Sequence, residues 1–164
     1  MSDESALVRN IVRHVKATAR DRGIGCFAWN VSDSFSLGIP DLMIIMDGQV
    51  MFLEAKYFSK IEDNKPLLKH TFSAIQVATL KKISMSGVHA FGVVGSRSIP
   101  GRLHLFTPWD IPADGNFDYE YLKNYSIQMN KEGATWPIHR LYQLPVKRTR
   151  MEMNKEIAMH PPLR

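Results

Sequence analysis

The sequence lacks the features of several specialised protein classes. It contains one cysteine, Cys26, which excludes an internal disulfide and a metal site built from several cysteines. No apolar run approaches the roughly 20 residues that span a bilayer. The opening residues MSDESALVRN include acids and lack the basic start and apolar centre of a secretion signal. We therefore expect a cytoplasmic protein with no membrane association.

The remaining composition is that of a globular domain. The 164 residues are 45% hydrophobic and 23% charged, which suits one domain around a single core. A net charge of +5 and a pI of about 9.4 favour a polyanionic partner. The last 20 residues, 145–164, contribute +3 of this charge. Either a solvated terminus or a phosphate-binding arm would explain that excess.

Two segments have the pattern of helices. Apolar residues recur at helical spacing across 4–21, and most of the basic residues there fall on the other side. Residues 73–87 begin with a capping box formed by Ser73 and Gln76, and Gly87 is a typical stop. We predict a helix over each segment.

Five apolar segments have the pattern of strands. They are 25–31, 41–46, 49–56, 88–95 and, as an edge strand, 102–108. The run DLMIIM (41–46) has no alternation, which predicts a strand buried on both faces. The helix over 73–87 is a crossover, so 88–95 should lie parallel to an earlier strand. The order predicts an α/β fold with a mixed β-sheet flanked by helices.

The pattern is weaker beyond residue 110. FDYEYLKNY (117–125) indicates a short helix, whereas ATWPIHRLYQLP (134–145) favours no single structure. We divide the chain into a core, 1–110, and a C-terminal extension, 111–164, which packs on the core and ends in a basic tail. Both belong to a single domain overall.

One hairpin brings acidic residues together. Asp47-Gly48 predicts a two-residue turn, so the numbers of paired residues sum to 95 and Asp41 lies opposite Glu54. Their Cβ atoms would be roughly 5 Å apart on one face, which Lys56 shares. Two adjacent carboxylates repel each other, and a divalent cation such as Mg²⁺ removes the repulsion. The simpler explanation is that Pro-Asp is a common turn dipeptide and Glu-x-Lys is common on exposed strands.

These residues match a known pattern. Gly38-Ile39-Pro40-Asp41, a 12-residue gap and Glu54-Ala55-Lys56 resemble the PD-(D/E)XK nuclease superfamily. The pattern is most similar to the VRR-NUC branch and to stand-alone Holliday-junction resolvases of phages and bacteria, and Gln76 matches their glutamine-bearing helix. The resemblance covers about residues 4–95 and implies a restriction-endonuclease-like fold with αβββαβ order. It also implies a homodimer that cleaves branched DNA with Mg²⁺ or Mn²⁺.

The resemblance assigns roles to individual residues. Asp41, Glu54 and the Ala55 carbonyl would bind the metal, with Glu4 as a further ligand. Lys56 would assist the attacking water, and Gln76 would orient Lys56, the water or the phosphate. Glu4 is otherwise an exposed acid in the first turn of a helix. Gln76 is otherwise only part of the capping box, and we do not expect one side chain to serve both roles.

Further polar residues are candidates for DNA contacts. They are Ser34 and Ser36 before the Pro-Asp motif, Lys60, Lys65 and Lys69 after the third strand, and Lys147, Arg148 and Arg150 in the tail. Ordinary loop serines and surface solvation explain them as well. His104 is expected to be packed, and the methionines and tryptophans are expected to fill the core, including Met43, Met46, Met51, Met85, Trp29, Trp109 and Trp136.

Other functions stay open from the sequence. The chain could be a nonspecific or site-specific DNase. It could also be a catalytically silent nucleic-acid-binding or scaffolding protein on the same fold, although the intact Asp41, Glu54 and Lys56 argue against silence. RNA cleavage is less favoured, because the sequence has no aromatic-rich RNA-binding signature.

Overall fold

The fold is a six-stranded sheet between helices. The computed structural model describes residues 3–31, 37–61 and 71–146. The elements are α1 Asp3–Arg22, β1 Cys26–Asn30, β2 Leu42–Met46, β3 Gln49–Phe58, α2 Ala74–Met85, β4 His89–Ser96, β5 Arg102–Phe106, α3 Tyr119–Tyr125, β6 Ile127–Asn130 and a 3₁₀ helix Ile138–Gln143. The predicted α/β class and the αβββαβ order are confirmed, and the short helix expected within 117–125 is α3.

The strands lie side by side in sequence order, β1 to β6. Among the described strands, only β3 and β4 pair in parallel, and α2 connects them, which confirms the predicted crossover. The prediction that β5 is an edge strand is wrong, because β6 pairs with it antiparallel. With four residues, β6 is too short for its alternating burial to stand out in the sequence.

Each face of the sheet has its own apolar cluster. On one face, α1 buries Leu7, Ile11 and Val15 against sheet residues that include Leu42 and Leu53. On the other face, α2 packs over β4, and its buried residues join those of α3 and β5. No helix within the described residues is long and apolar enough to cross a bilayer.

The prediction that β2 is buried on both faces is wrong. Its burial alternates: Leu42, Ile44 and Met46 are buried, whereas the intervening Met43 and Ile45 are only half-buried. The reason is the position of α2, which packs against β4 and leaves the same side of β1 and β2 more open.

Several large side chains expected in the core are exposed. Trp29 on β1 is 56% exposed, Trp109 is 39% exposed, and Met85 in the last turn of α2 is 59% exposed. Trp136 is buried as predicted, and so is His104. The incorrect predictions concern residues whose burial depends on which helix covers which part of the sheet.

The segment after residue 110 contacts the core at several points. The backbone N–H of Trp136 donates to His14 Nδ1 at 3.2 Å, and its indole N–H donates to the Gly101 carbonyl at 3.0 Å. The Tyr142 hydroxyl donates to the Ile44 carbonyl at 2.9 Å. The division at residue 110 stays a prediction, but this segment supplies a strand and part of the α1-side cluster.

Candidate active site

The site begins with the turn between β2 and β3. Asp47 and Gly48 have φ angles of 51° and 75°, the positive values that a two-residue type I′ turn requires. The turn sets the register from the Met46–Gln49 pair to the Leu42–Leu53 pair, as the sequence predicts. Asp41 stands one residue before this ladder and is therefore opposite Glu54.

The Asp41 carboxylate takes over a backbone role at the end of the hairpin. Its Oδ2 accepts a hydrogen bond from the Ala55 N–H at 2.8 Å. By the register, Pro40 would pair with Ala55, but proline has no N–H to donate to the Ala55 carbonyl. The N–H and C=O of a strand residue point to the same side, so the Ala55 carbonyl faces Asp41. An acidic oxygen and a backbone oxygen thus lie on one side of β3.

Glu54 is the most buried acid of the site, with 1% exposure. Its Oε1 accepts hydrogen bonds from Lys56 Nζ, 2.9 Å away, and from the amide nitrogen of Gln76. Its Oε2 is buried and has no hydrogen-bond partner within the described residues. Burial, together with the charge of Asp41, raises the pKa of Glu54 to about 7 even though Lys56 acts in the opposite direction.

Lys56 lies between two carboxylates. Besides Glu54, it approaches Glu4 of α1, with 4.0 Å between Nζ and Oε1. Burial acts to lower the pKa of Lys56, but the charges of Glu54, Glu4 and Asp41 together raise it above its ordinary value. Lys56 is therefore an ammonium group at neutral pH. Glu4 keeps 45% of its side chain exposed, so it stands at the rim.

Gln76 uses both ends of its amide. Its Oε1 accepts from the Ser73 N–H at 2.8 Å, and its own N–H donates to Ser73 Oγ at 3.2 Å, which confirms the predicted capping box. Its Nε2 donates to Glu54. One side chain therefore contacts both the cap and the site, because the two contacts use different atoms, and its role in a reaction stays a prediction.

The charges of the site suit a hard divalent cation. The carboxylates of Glu4, Asp41 and Glu54 and the ammonium of Lys56 carry a net charge of −2 when all are ionised. The unpartnered Glu54 Oε2 and the Ala55 carbonyl are oxygen ligands of the kind that Mg²⁺ accepts. In the described ranges, no three His, Cys, Asp or Glu side chains gather as a metal site by themselves. A cation here would therefore also need the carbonyl, waters or a substrate oxygen.

Comparisons with known proteins include a distant structural likeness. No protein-family model matches the sequence, and no curated protein matches it significantly. Among solved structures, the fold is similar to Archaeoglobus fulgidus Hjc, a Holliday junction resolvase from an archaeal hyperthermophile. The identity is 13% and the TM-score 0.47, over 69% of this chain and 89% of that one. At this TM-score the likeness carries no conclusion about activity, so the function rests on the site.

Six of the predicted residues lie together in the structure: Glu4, Asp41, Glu54, Ala55, Lys56 and Gln76. Lys60 is exposed two residues beyond the end of β3. The remaining candidates lie outside the described residues: Ser34, Ser36, Lys65, Lys69, Lys147, Arg148 and Arg150.

One residue of the motif has a packing role that the sequence pattern did not identify. Gly38 has a φ angle of 84°, and a Cβ at this position would collide with Ile75 in the first turn of α2. Glycine thus lets the chain pass close to α2 just before Pro40 and Asp41. The signal in the sequence was the glycine two residues before Pro40.

Proposed function

We propose that the protein is a Mg²⁺- or Mn²⁺-dependent endonuclease that hydrolyses DNA phosphodiester bonds. The observation that carries the proposal is the buried Glu54 carboxylate beside Asp41. One of its oxygens is held by Lys56 and Gln76, and the other lacks a partner within the described residues. Such an arrangement is costly for a purely structural protein and useful for binding a cation.

The acids would hold the cation. Asp41, Glu54 through Oε2 and the Ala55 carbonyl would be the ligands, and Glu4 at the rim would be a further one. When bound, the cation would polarise the phosphate and activate a water. The buried Oε2 and the excess negative charge make these residues a fitting set for it.

Lys56 and Gln76 act on the acids and on the substrate. Lys56 is an ammonium group, so it serves as a donor that positions the attacking water and offsets negative charge on the phosphate. Gln76 is a positioning residue, since it touches Glu54 and fixes the carboxylate's orientation. In-line attack would leave a 5′-phosphate and a 3′-hydroxyl, as the motif resemblance implies.

The substrate preference rests on the resemblance of the motif. It favours branched DNA, such as a four-way junction, and a homodimer in the cytoplasm of a bacterium or a phage-infected cell. A net charge of +5 agrees with a nucleic-acid substrate.

Cleavage of labelled substrates tests the proposal. Purified protein is incubated with four-way junction, flap, duplex and single-stranded DNA, each with Mg²⁺, Mn²⁺ or EDTA. We expect paired symmetric cuts in the junction, which EDTA and Asp41→Ala abolish. Glu120→Ala removes an exposed acid on α3 and should cleave like the wild type.

Three further results decide between the mechanism and its alternatives. Lys56→Met should lower the cleavage rate at least 100-fold while Mn²⁺ still binds, because Lys56 is not a ligand. Cleavage of all four DNA substrates would support a nuclease and reject a preference for branched DNA. DNA binding with no cleavage under any condition would favour the silent scaffold.

A further inference from the structure

A groove separate from the acidic site runs between α1 and the edge strand β1. Its volume is about 800 Å³. The apolar residues that line it are Val8, Val12, Ala17 and Ala28, and the polar ones are Arg9, Arg13, Lys16, Arg20 and Asn30. The groove lies on the α1 side of the sheet, whereas Glu54 faces α2.

The four cations form a regular stripe. They recur at intervals of four, three and four residues, which keeps them on one side of α1. At 1.5 Å per residue, the stripe from Arg9 to Arg20 is roughly 16 Å long. None of the described residues that line the groove is acidic. The ion pair of Arg20 with Asp21, at 3.6 Å, is highly exposed and therefore weak.

One end of the groove lies beside the candidate active site. β1 returns antiparallel to α1 after a short turn, so Arg9 lies toward the Asn30 end of β1. The residue after Asn30, Val31, donates its N–H to the Asp41 carbonyl at 2.8 Å. At the same end, Glu4 of α1 approaches Lys56. The stripe therefore starts at the end of the sheet where the acids lie, on the face opposite Glu54, and leads away from that end along the sheet edge.

We propose that this groove binds the sugar-phosphate backbone of a nucleic-acid strand that runs to or from the active site. The inference rests on the proposed function for the position of the scissile bond. Along the axis of a duplex, each strand carries one phosphate per about 3.4 Å, so a stripe of roughly 16 Å laid along that axis spans at most about four or five phosphates of one strand. Evenly spaced cations along a groove suit a polyanion better than a single small anion.

The test removes two charges from the middle of the stripe. The double variant Arg13→Gln, Lys16→Gln is compared with Lys82→Gln, Lys123→Gln, which removes the same charge from α2 and α3. Fluorescence anisotropy measures the affinity for a labelled four-way junction and a linear duplex in EDTA at several salt concentrations. EDTA keeps the assay independent of cleavage.

We expect the groove variant to bind both DNAs about tenfold more weakly. We also expect the slope of log affinity against log salt to fall by about two, because two phosphate contacts are lost. The control variant should keep the wild-type slope. The variant Arg13→Lys, Lys16→Arg, which keeps both charges, should also keep it and shows that charge rather than shape is responsible.

Several outcomes would overturn the inference. One is an unchanged slope in a groove variant whose circular dichroism and melting match the wild type. Another is competition by polyglutamate as strong as that by poly(dT), which would indicate a general anion site. A wild type that binds no DNA at low salt would also reject it.

The inference and the proposed function can fail separately. If the wild type cleaves DNA and the groove variant keeps the wild-type DNA affinity and salt slope, the groove proposal is rejected and the nuclease proposal stands. If the wild type cleaves no DNA but the groove variant binds DNA more weakly, the nuclease proposal is rejected and the groove proposal stands.

Discussion

At the residue scale, Glu54 is the acid through which the site responds to pH. Its pKa is raised to about 7 because burial and the neighbouring acids disfavour the charged form. A carboxyl whose folded-state pKa lies above its unfolded value contributes most to stability at low pH. That contribution is lost as the pH rises from about 4.5 through about 7. Without metal, ionised Glu54 therefore destabilises the protein above neutral pH.

Glu54→Gln should consequently stabilise the metal-free protein at pH 8. We expect the free energy of unfolding in EDTA to rise by about 2 kcal/mol at pH 8 and to change little at pH 5. Chemical denaturation at the two pH values measures this. Millimolar Mg²⁺ should stabilise the wild type at pH 8 and leave the variant unchanged. A difference that is the same at both pH values would show that Glu54 does not titrate in this range.

The sequence alone predicts which acids meet but not how each atom is used. Asp41 and Glu54 follow from the number of residues on each side of Asp47-Gly48, because strand side chains alternate strictly. The hydrogen bond from Gln76 to Glu54 depends on where α2 lies above the sheet. That position is set by long-range packing, which no local pattern encodes.

At the element scale, the first turn of α2 joins helix capping to the site. Ser73 serves the cap, whereas Gln76 serves the cap and Glu54. Ser73→Ala should cost about 1 kcal/mol of stability and leave Mn²⁺ affinity and cleavage nearly unchanged. Gln76→Ala should cost a similar amount and also lower cleavage at least tenfold, since Glu54 loses a donor.

Thermal unfolding, Mn²⁺ titration calorimetry and cleavage rates compare the two variants. Cleavage at the wild-type rate in both variants would mean that Gln76 has only a structural role. Equal loss in both would mean that the site depends on the helix end as a whole.

Elements with strong local signals are the ones that the sequence predicts. The type I′ turn and the capping box are encoded in adjacent residues, and both form as expected. β6 has only four residues, and its pairing with β5 joins residues more than 20 positions apart. The 3₁₀ helix Ile138–Gln143 lacks a side-chain cap, so nothing in the sequence marks its start.

At the scale of the whole molecule, the C-terminal segment ties α1 to the β4–β5 connection through Trp136. Its ring lies 4.5 Å from that of His14, and its indole N–H bonds to the Gly101 carbonyl. Trp136→Ala should cost roughly 3–5 kcal/mol. Trp136→Phe should lower the free energy of unfolding by less, about 1 kcal/mol, because the ring is largely kept and mainly the indole hydrogen bond is lost.

Trp29→Ala is the matched control, since Trp29 is 56% exposed whereas Trp136 is 6% exposed. It should change stability by no more than about 0.5 kcal/mol, as exposed substitutions usually do. Urea denaturation of the three variants measures these costs. A cost for Trp29→Ala as large as that for Trp136→Ala would mean that Trp29 is covered by part of the chain or by a partner.

The Gln76 amide has one fixed orientation in the site. Its oxygen must face the Ser73 N–H and its nitrogen must face Glu54, so the amide cannot turn over without breaking both contacts. Glu54 thereby has one oxygen held by Lys56 and Gln76 and one without a hydrogen-bond partner among the described residues. Under the proposed function, the same carboxylate would serve the fold through Oε1 and a cation through Oε2, and an amide turned over would set the Gln76 oxygen against Oε1 in place of a donor.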